Sequence, residues 1–189
     1  MTTFDRAPVA QDKGVASIWT FAALLVALVG LAGSLFLSMG MGLRACPLCF
    51  YQRTFMMGLV AVLVMGILTT TGHGGRLALV SLPLAIAGLG VALFHVFLEV
   101  TGTLECPKGV LDIGSAPQQS LTLFLVLCGL LLADVYRGGS ASTVYVITAL
   151  VHGGLLAVAS CTSNPPMLQP PTTPYPKPPD VCRPPARVS

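Results

Sequence analysis

Two cysteines stand three residues apart in Cys46-Pro47-Leu48-Cys49, just ahead of a long apolar segment. Thiols at this spacing at a helix start can close a strained, reversible disulfide. A helix N-terminus also lowers a thiol pKa by stabilising the thiolate. Arg44 and Arg53 flank the pair and act in the same direction. The pattern points to thiol–disulfide chemistry. The competing readings are a purely structural disulfide and half of a zinc site. A zinc centre takes three or four protein ligands, and the sequence offers no second such pair and no histidine near this one, so no metal is expected. His95 and Glu99, four residues apart, share one helix face. An imidazole there is both a proton donor and a proton acceptor. Cys128, inside Leu-Val-Leu-Cys-Gly-Leu, reads as a small core hydrophobe. His152 has no motif around it and reads as structural.

The elements that must position these groups follow from composition. Of 189 residues 54% are apolar and 9% are charged, with ten Lys and Arg against seven Asp and Glu. A soluble domain carries about 25% charge. So few charges exclude a soluble globular enzyme, and so much apolar content excludes a disordered chain. A net charge of +3 is too small for a nucleic-acid binder. The expected class is an all-α integral membrane protein.

Five apolar segments are candidate spans: Ser17–Met41, Thr54–Thr71, Leu77–Leu98, Leu121–Tyr136 and Thr143–Ser160. Gly72 to Arg76 and Arg137 to Ser140 are short connections, so the spans they join are antiparallel neighbours. The expected organisation is an N-terminal segment 1–16, a four-span bundle 17–137, a fifth span 138–160 and a tail 161–189. Ten of the 15 prolines fall between Pro165 and Pro185, which favours an extended polyproline-like arm. Arg6 and Lys13 argue for a cytoplasmic N-terminus. Alternation then places Arg76 and Arg137 on the cytoplasmic face. Cys46, Cys49, Cys106, Cys161 and Cys182 fall together on the outer face, where an oxidising compartment would pair thiols.

Cys-Pro-Leu-Cys-Phe-Tyr-Gln-Arg (46–53) after a first span resembles the signature of the disulfide bond formation protein B (DsbB) family. The resemblance covers four spans, to about Arg137, and includes a cysteine in the second outer loop, Glu105-Cys106-Pro107. It implies a multi-pass protein of the bacterial inner membrane that reoxidises a periplasmic, DsbA-like dithiol oxidase of thioredoxin fold. Electrons would pass to membrane quinone, either ubiquinone or menaquinone. Cys46 and Cys49 would be the quinone-reducing pair, with Cys49 facing the ring. Arg53 matches an arginine beside the quinone, and its cost inside a span favours a function. His95 resembles a histidine near the quinone. Gln52 stands where the family often has Glu.

The family logic also needs a disulfide in the outer loop, and Cys106 is the sole cysteine there. Its partner would be Cys182, which the arm can carry that far. Cys161–Cys182 is the second possibility, and five outer cysteines leave one over either way. Leu156 to Cys161 also ends like a lipoprotein cleavage box, which would lipidate Cys161. The fifth span and the tail depart from the four-span pattern. A non-enzymatic membrane assembly or binding protein with structural disulfides is the alternative of a different class.

Overall fold

The computed structural model describes residues 17–69, 74–138, 142–165 and 169–187. The expected cytoplasmic segment 1–16 lies outside the described residues, as do Gly72, His73, Gly139 and Ser140 of the short connections.

Five helices are long and apolar enough to cross a membrane: α1 Ile18–Met39, α2 Pro47–Thr69, α3 Gly74–Val100, α4 Ala116–Arg137 and α5 Thr143–Thr162. Among the described residues there is no strand, only the isolated bridges Glu105–Arg183 and Lys108–Ser115. The protein is an all-α helical bundle suited to a membrane. In lipid a helix satisfies its own backbone groups, so these runs have no cheaper conformation.

Three helices, α2, α3 and α4, start earlier than hydropathy indicates, and caps explain α2 and α4. Proline is pre-organised for the first position of a helix, and Pro47 takes that position in α2. The preceding Cys46 carbonyl accepts the Phe50 N–H at 2.9 Å. Cys49, Gln52 and Arg53 therefore lie inside α2, not ahead of it. At α4, Ser115 and Gln118 form a reciprocal capping box, so the helix begins before the polar residues Gln118, Gln119 and Ser120.

The first four helices close a ring of contacts, α1 on α2, α2 on α3, α3 on α4 and α4 on α1. Helix α5 stands outside it against α3. Lipid tails are as apolar as leucine, so close packing rather than burial drives helix association here. The interior is accordingly rich in small residues, with Ala23, Ala27, Ala78, Ala85 and Ala92 fully buried. Large side chains such as Leu25, Val29, Phe97 and Leu155 point outward. Gly153 of α5 lies so close to α3 that a Cβ there would stand 2.8 Å from the Pro83 carbonyl oxygen. At the bundle end remote from Cys46, the Thr20 hydroxyl of α1 donates to the Asp134 carboxylate of α4 at 2.5 Å. Arg137 stacks over the Trp19 ring there.

The other end carries the chemistry. The loop between α3 and α4 is stapled by Gln119, which accepts from the Val110 N–H and donates to the Val110 and Ile113 carbonyls. The tail is extended, as its prolines require, but it is not a free arm. The Arg44 N–H donates to the Asp180 carbonyl at 2.9 Å, and Glu105 and Arg183 exchange backbone hydrogen bonds. The arm thus returns across the mouth of the bundle.

Candidate functional site: a thiol and imidazole cluster beside a membrane cavity

The tail's return puts Cys182 beside the loop cysteine, and the two form the disulfide Cys106–Cys182, 76 residues apart in sequence. Cys46 and Cys49 are free thiols with their sulfurs 2.9 Å apart. Cys161 is also free; α5 runs through it to Thr162, and it packs half-buried at the edge of the same apolar cluster. Cys128 is buried in the middle of the bundle core.

Helix α3 presents the fully buried His95 to the sulfurs. Its Nε2 lies 3.3 Å from Cys182 Sγ, 3.5 Å from Cys106 Sγ and 3.8 Å from Cys46 Sγ. Its Nδ1 lies 3.4 Å from the Gln52 amide nitrogen. One imidazole edge thus faces both redox pairs. Glu99, one turn on from His95 in α3, accepts the Ser115 hydroxyl at 2.7 Å and ties α3 to the start of α4.

Cys46 sits at the cap position of α2, and its sulfur accepts the Cys49 backbone N–H at 3.3 Å. Its pKa falls from an ordinary 9.0 to about 5. The largest cause is the hydrogen bond from the Cys49 thiol; the His95 contact and charge add to it, and burial opposes it. Cys46 is therefore the thiolate of the pair at neutral pH.

Cys49 opens the other way. With Gln52, Arg53 and Met56 of α2 it lines a cavity of about 480 Å³. Gly30, Gly33, Ser34 and Ser38 of α1, Pro107 and Ile113 of the loop, and Gln119 and Leu123 of α4 complete the walls. Arg53 is held by α1: it donates to the Ser34 hydroxyl at 3.0 Å, the Ser34 carbonyl at 2.9 Å and the Ser38 hydroxyl at 2.6 Å. Three acceptors satisfy a guanidinium that lipid alone would strand.

Of the residues expected to serve the site, Cys46, Cys49, Cys106, Cys182 and His95 converge, and Cys49 with Arg53 also lines the cavity. His95 is not on the cavity wall; Gln52 stands between it and the cavity. The sequence offered no second such pair and no nearby histidine. The fold supplies a histidine and a third sulfur, because α3 and the tail bring His95 and Cys182 to Cys46 and Cys49, with all four ligand atoms within 4.8 Å of one another. Sequence reasoning also missed Ser34, Ser38 and Gln52 as positioning groups. The signal for the serines was their spacing of four on an otherwise apolar helix.

A family profile described as disulfide bond formation protein DsbB matches residues 16–123. The chain belongs to the DsbB family. This DsbB-family protein is 36% identical over 98 residues to disulfide bond formation protein C of Bacillus subtilis, covering 49% of this chain and 68% of that one. It is 45% identical over 89 residues to a probable disulfide formation protein of Deinococcus radiodurans, covering 47% of this chain and 55% of that one. A probable disulfide formation protein of Chlamydia trachomatis is 32% identical over 114 residues, 60% of this chain and 78% of that one. No solved structure matches. Membership gives this multi-pass membrane protein a role in disulfide bond formation and an oxidoreductase character. The matched region ends inside α4, so α5 and Cys182 lie beyond it.

Proposed function

We propose that this DsbB-family protein is a thiol:quinone oxidoreductase of the bacterial inner membrane, with its cysteine end in the periplasm. It takes electrons from a DsbA-like dithiol protein of thioredoxin fold and delivers them to the membrane quinone pool. The observation that carries the reading is the position of Cys46 and Cys49, between the Cys106–Cys182 disulfide on one side and a largely apolar cavity on the other.

The steps balance as two-electron exchanges. A partner thiolate attacks Cys106–Cys182, and the partner's second thiol resolves the mixed disulfide, leaving an oxidised partner and two thiols here. Cys182 then attacks the oxidised Cys46–Cys49 pair at Cys46, and Cys49 leaves as a thiolate. Cys106 attacks Cys182 in turn, restoring Cys106–Cys182 and releasing Cys46. The observed pairing, Cys106–Cys182 bonded and Cys46 and Cys49 free, corresponds to this point of the cycle.

His95 is suited to hold the proton that moves among the sulfurs. As imidazolium it carries a proton on Nε2, the nitrogen that faces Cys46, Cys106 and Cys182, and after giving it up the neutral ring takes another from an attacking thiol. Protonation of each departing thiolate needs a group within hydrogen-bond reach, and Nε2 is within 3.8 Å of all three.

The donor set of the cavity fits a quinone head group. Its walls are mostly apolar, a planar ring fits within about 480 Å³, and Arg53 and Gln52 offer N–H groups for ring oxygens. A bound quinone supplies the two-electron, two-proton acceptor. Cys49 is the thiol exposed to it. Arg53, pre-oriented by Ser34 and Ser38, offers a fixed positive charge where negative charge develops.

The test is quinone reduction by the purified full-length protein, supplied with a reduced thioredoxin-fold dithiol protein. Cys49→Ser should abolish it while Cys106–Cys182 still exchanges with the partner. Undiminished quinone reduction by Cys49→Ser would refute the proposal. A Cys46–Cys49 pair that stays oxidised when the acceptor is withheld and the partner is reduced would favour a structural disulfide.

A further inference from the structure

We infer that the fully reduced protein holds a soft or borderline d10 cation, Zn2+ as the type case, on Cys46, Cys49, Cys182 and His95. The site exists in one redox state only. With Cys106–Cys182 bonded, Cys182 has no thiolate to give. Reduction of that disulfide by a dithiol moves two electrons and two protons onto Cys106 and Cys182, and the donor leaves as a disulfide. Zn2+ then displaces the thiol protons that remain on the three cysteines to solvent.

The geometry fits a tetrahedral centre without moving the helices. Zinc binds thiolate at about 2.3 Å and imidazole at about 2.0–2.1 Å, which puts neighbouring S and N ligands about 3.5 Å apart. The distances from His95 Nε2 to Cys182 Sγ and Cys46 Sγ, 3.3 Å and 3.8 Å, bracket that value. The Cys46 and Cys49 sulfurs, 2.9 Å apart, need to open to about 3.8 Å, the S–S separation of the same tetrahedron. A χ1 adjustment of Cys49 toward its cavity side can supply this.

The surroundings favour a closed centre. Cys46 and His95 are buried, and Leu48, Val91, Leu98 and Leu104 form an apolar wall beside them. Two of the ligands come from one Cys-x-x-Cys at a helix start, a spacing that structural zinc sites use. The outer sphere is present too: the Cys49 N–H already donates to Cys46 Sγ, and Gln52 stands at His95 Nδ1. With Nε2 on the metal the ring proton moves to Nδ1, and the Gln52 amide turned over accepts it, the usual partner of a ligating imidazole. Cys106 is left outside the set.

Such a centre would hold Cys46, Cys49 and Cys182 as bound thiolates at once. Neither the exchange among sulfurs nor delivery to the cavity could proceed. Zinc would thus stop the cycle when the partner pool is reduced and leave it running while Cys106–Cys182 is closed. The site depends on both cysteine pairs being reduced, which a phosphine achieves without quinone, so its test is separate from that of the oxidoreductase reading.

The experiment titrates Zn2+ into the full-length protein in detergent against a chromophoric chelator, once after phosphine reduction and once oxidised. One zinc per chain is expected in the reduced protein, with at least about tenfold weaker binding in the oxidised protein, a loss on the scale that outer-sphere partners alone produce. Cys182→Ser and His95→Asn, both reduced, should each bind at least about tenfold more weakly. Cys106→Ser, which frees Cys182 permanently, and Cys161→Ser, at a neighbouring thiol, should bind like the reduced wild type. X-ray absorption at the zinc edge should report three sulfurs and one nitrogen. Equal affinity in oxidised and reduced protein, unchanged binding in Cys182→Ser, or a four-sulfur shell would each overturn the assignment.

Discussion

The Cys46 thiolate is the most exacting consequence of the site. Its pKa of about 5 means that at pH 7 thiolate exceeds thiol by about 100 to 1. The folded value lies below the unfolded one. The thiolate is therefore present throughout the neutral range and is lost as pH falls through about 5. The causes order the variants. The Cys49 thiol donates the hydrogen bond with the largest effect, and His95 comes next among the groups that lower the value. Cys49→Ala should raise the inflection most and His95→Asn somewhat less. Each should move it by at least about one pH unit, or about 1.4 kcal/mol of lost preference for the thiolate. Cys49→Ser, whose hydroxyl still donates, should keep most of the depression. The assay is the rate at which a small methylating thiol reagent labels Cys46 in the reduced protein from pH 4 to 9, read by mass spectrometry of the Cys46 peptide. Wild type should give a rate that is flat from pH 9 down to about pH 6. An inflection at or above about pH 8 in wild type would refute the reasoning, as would one unmoved by Cys49→Ala.

Three further outcomes follow from the geometry. Arg53→Met should lower quinone reduction by about 100-fold, the scale of losing one pre-oriented donor at developing charge, while dithiol exchange at Cys106–Cys182 stays at wild-type rate. Gly33→Leu should raise the quinone KM without lowering thermal stability, because a Cβ at Gly33 meets nothing within 4 Å and the side chain would fill the cavity. Asp180→Asn breaks the Arg44–Asp180 ion pair that clamps the tail, and dithiothreitol should then reduce Cys106–Cys182 faster, with the difference shrinking at high salt. Arg44 holds the Asp180 carboxyl below its ordinary range, so wild type should show the same loosening only as pH falls below that depressed value.

Helix starts mark one boundary of what was legible. Hydropathy found all five spans but delayed α2 to Thr54 and α4 to Leu121, because Gln52, Arg53, Gln118, Gln119 and Ser120 dilute the apolar signal. Pro47 and the Ser115–Gln118 pair carried the missing information as capping chemistry. His95 marks another boundary. Its place in α3 is a local fact, but its three sulfur neighbours lie 49, 11 and 87 residues away in sequence.

The sequence by itself determined a membrane-spanning helical bundle, a Cys-x-x-Cys at a helix start and a proline-stiffened tail. These are properties of contiguous residues, set by hydropathy, helix polarity and a fixed φ. Only the tertiary structure decided that the tail returns to pair Cys182 with Cys106, that Cys49 also lines the cavity, and that His95 faces the sulfurs. It also decided that Arg53 rests on Ser34 and Ser38 beside the cavity. Those arrangements depend on how α1, α2, α3, the loop and the tail meet, and close packing at Ala and Gly contacts sets that, not hydropathy.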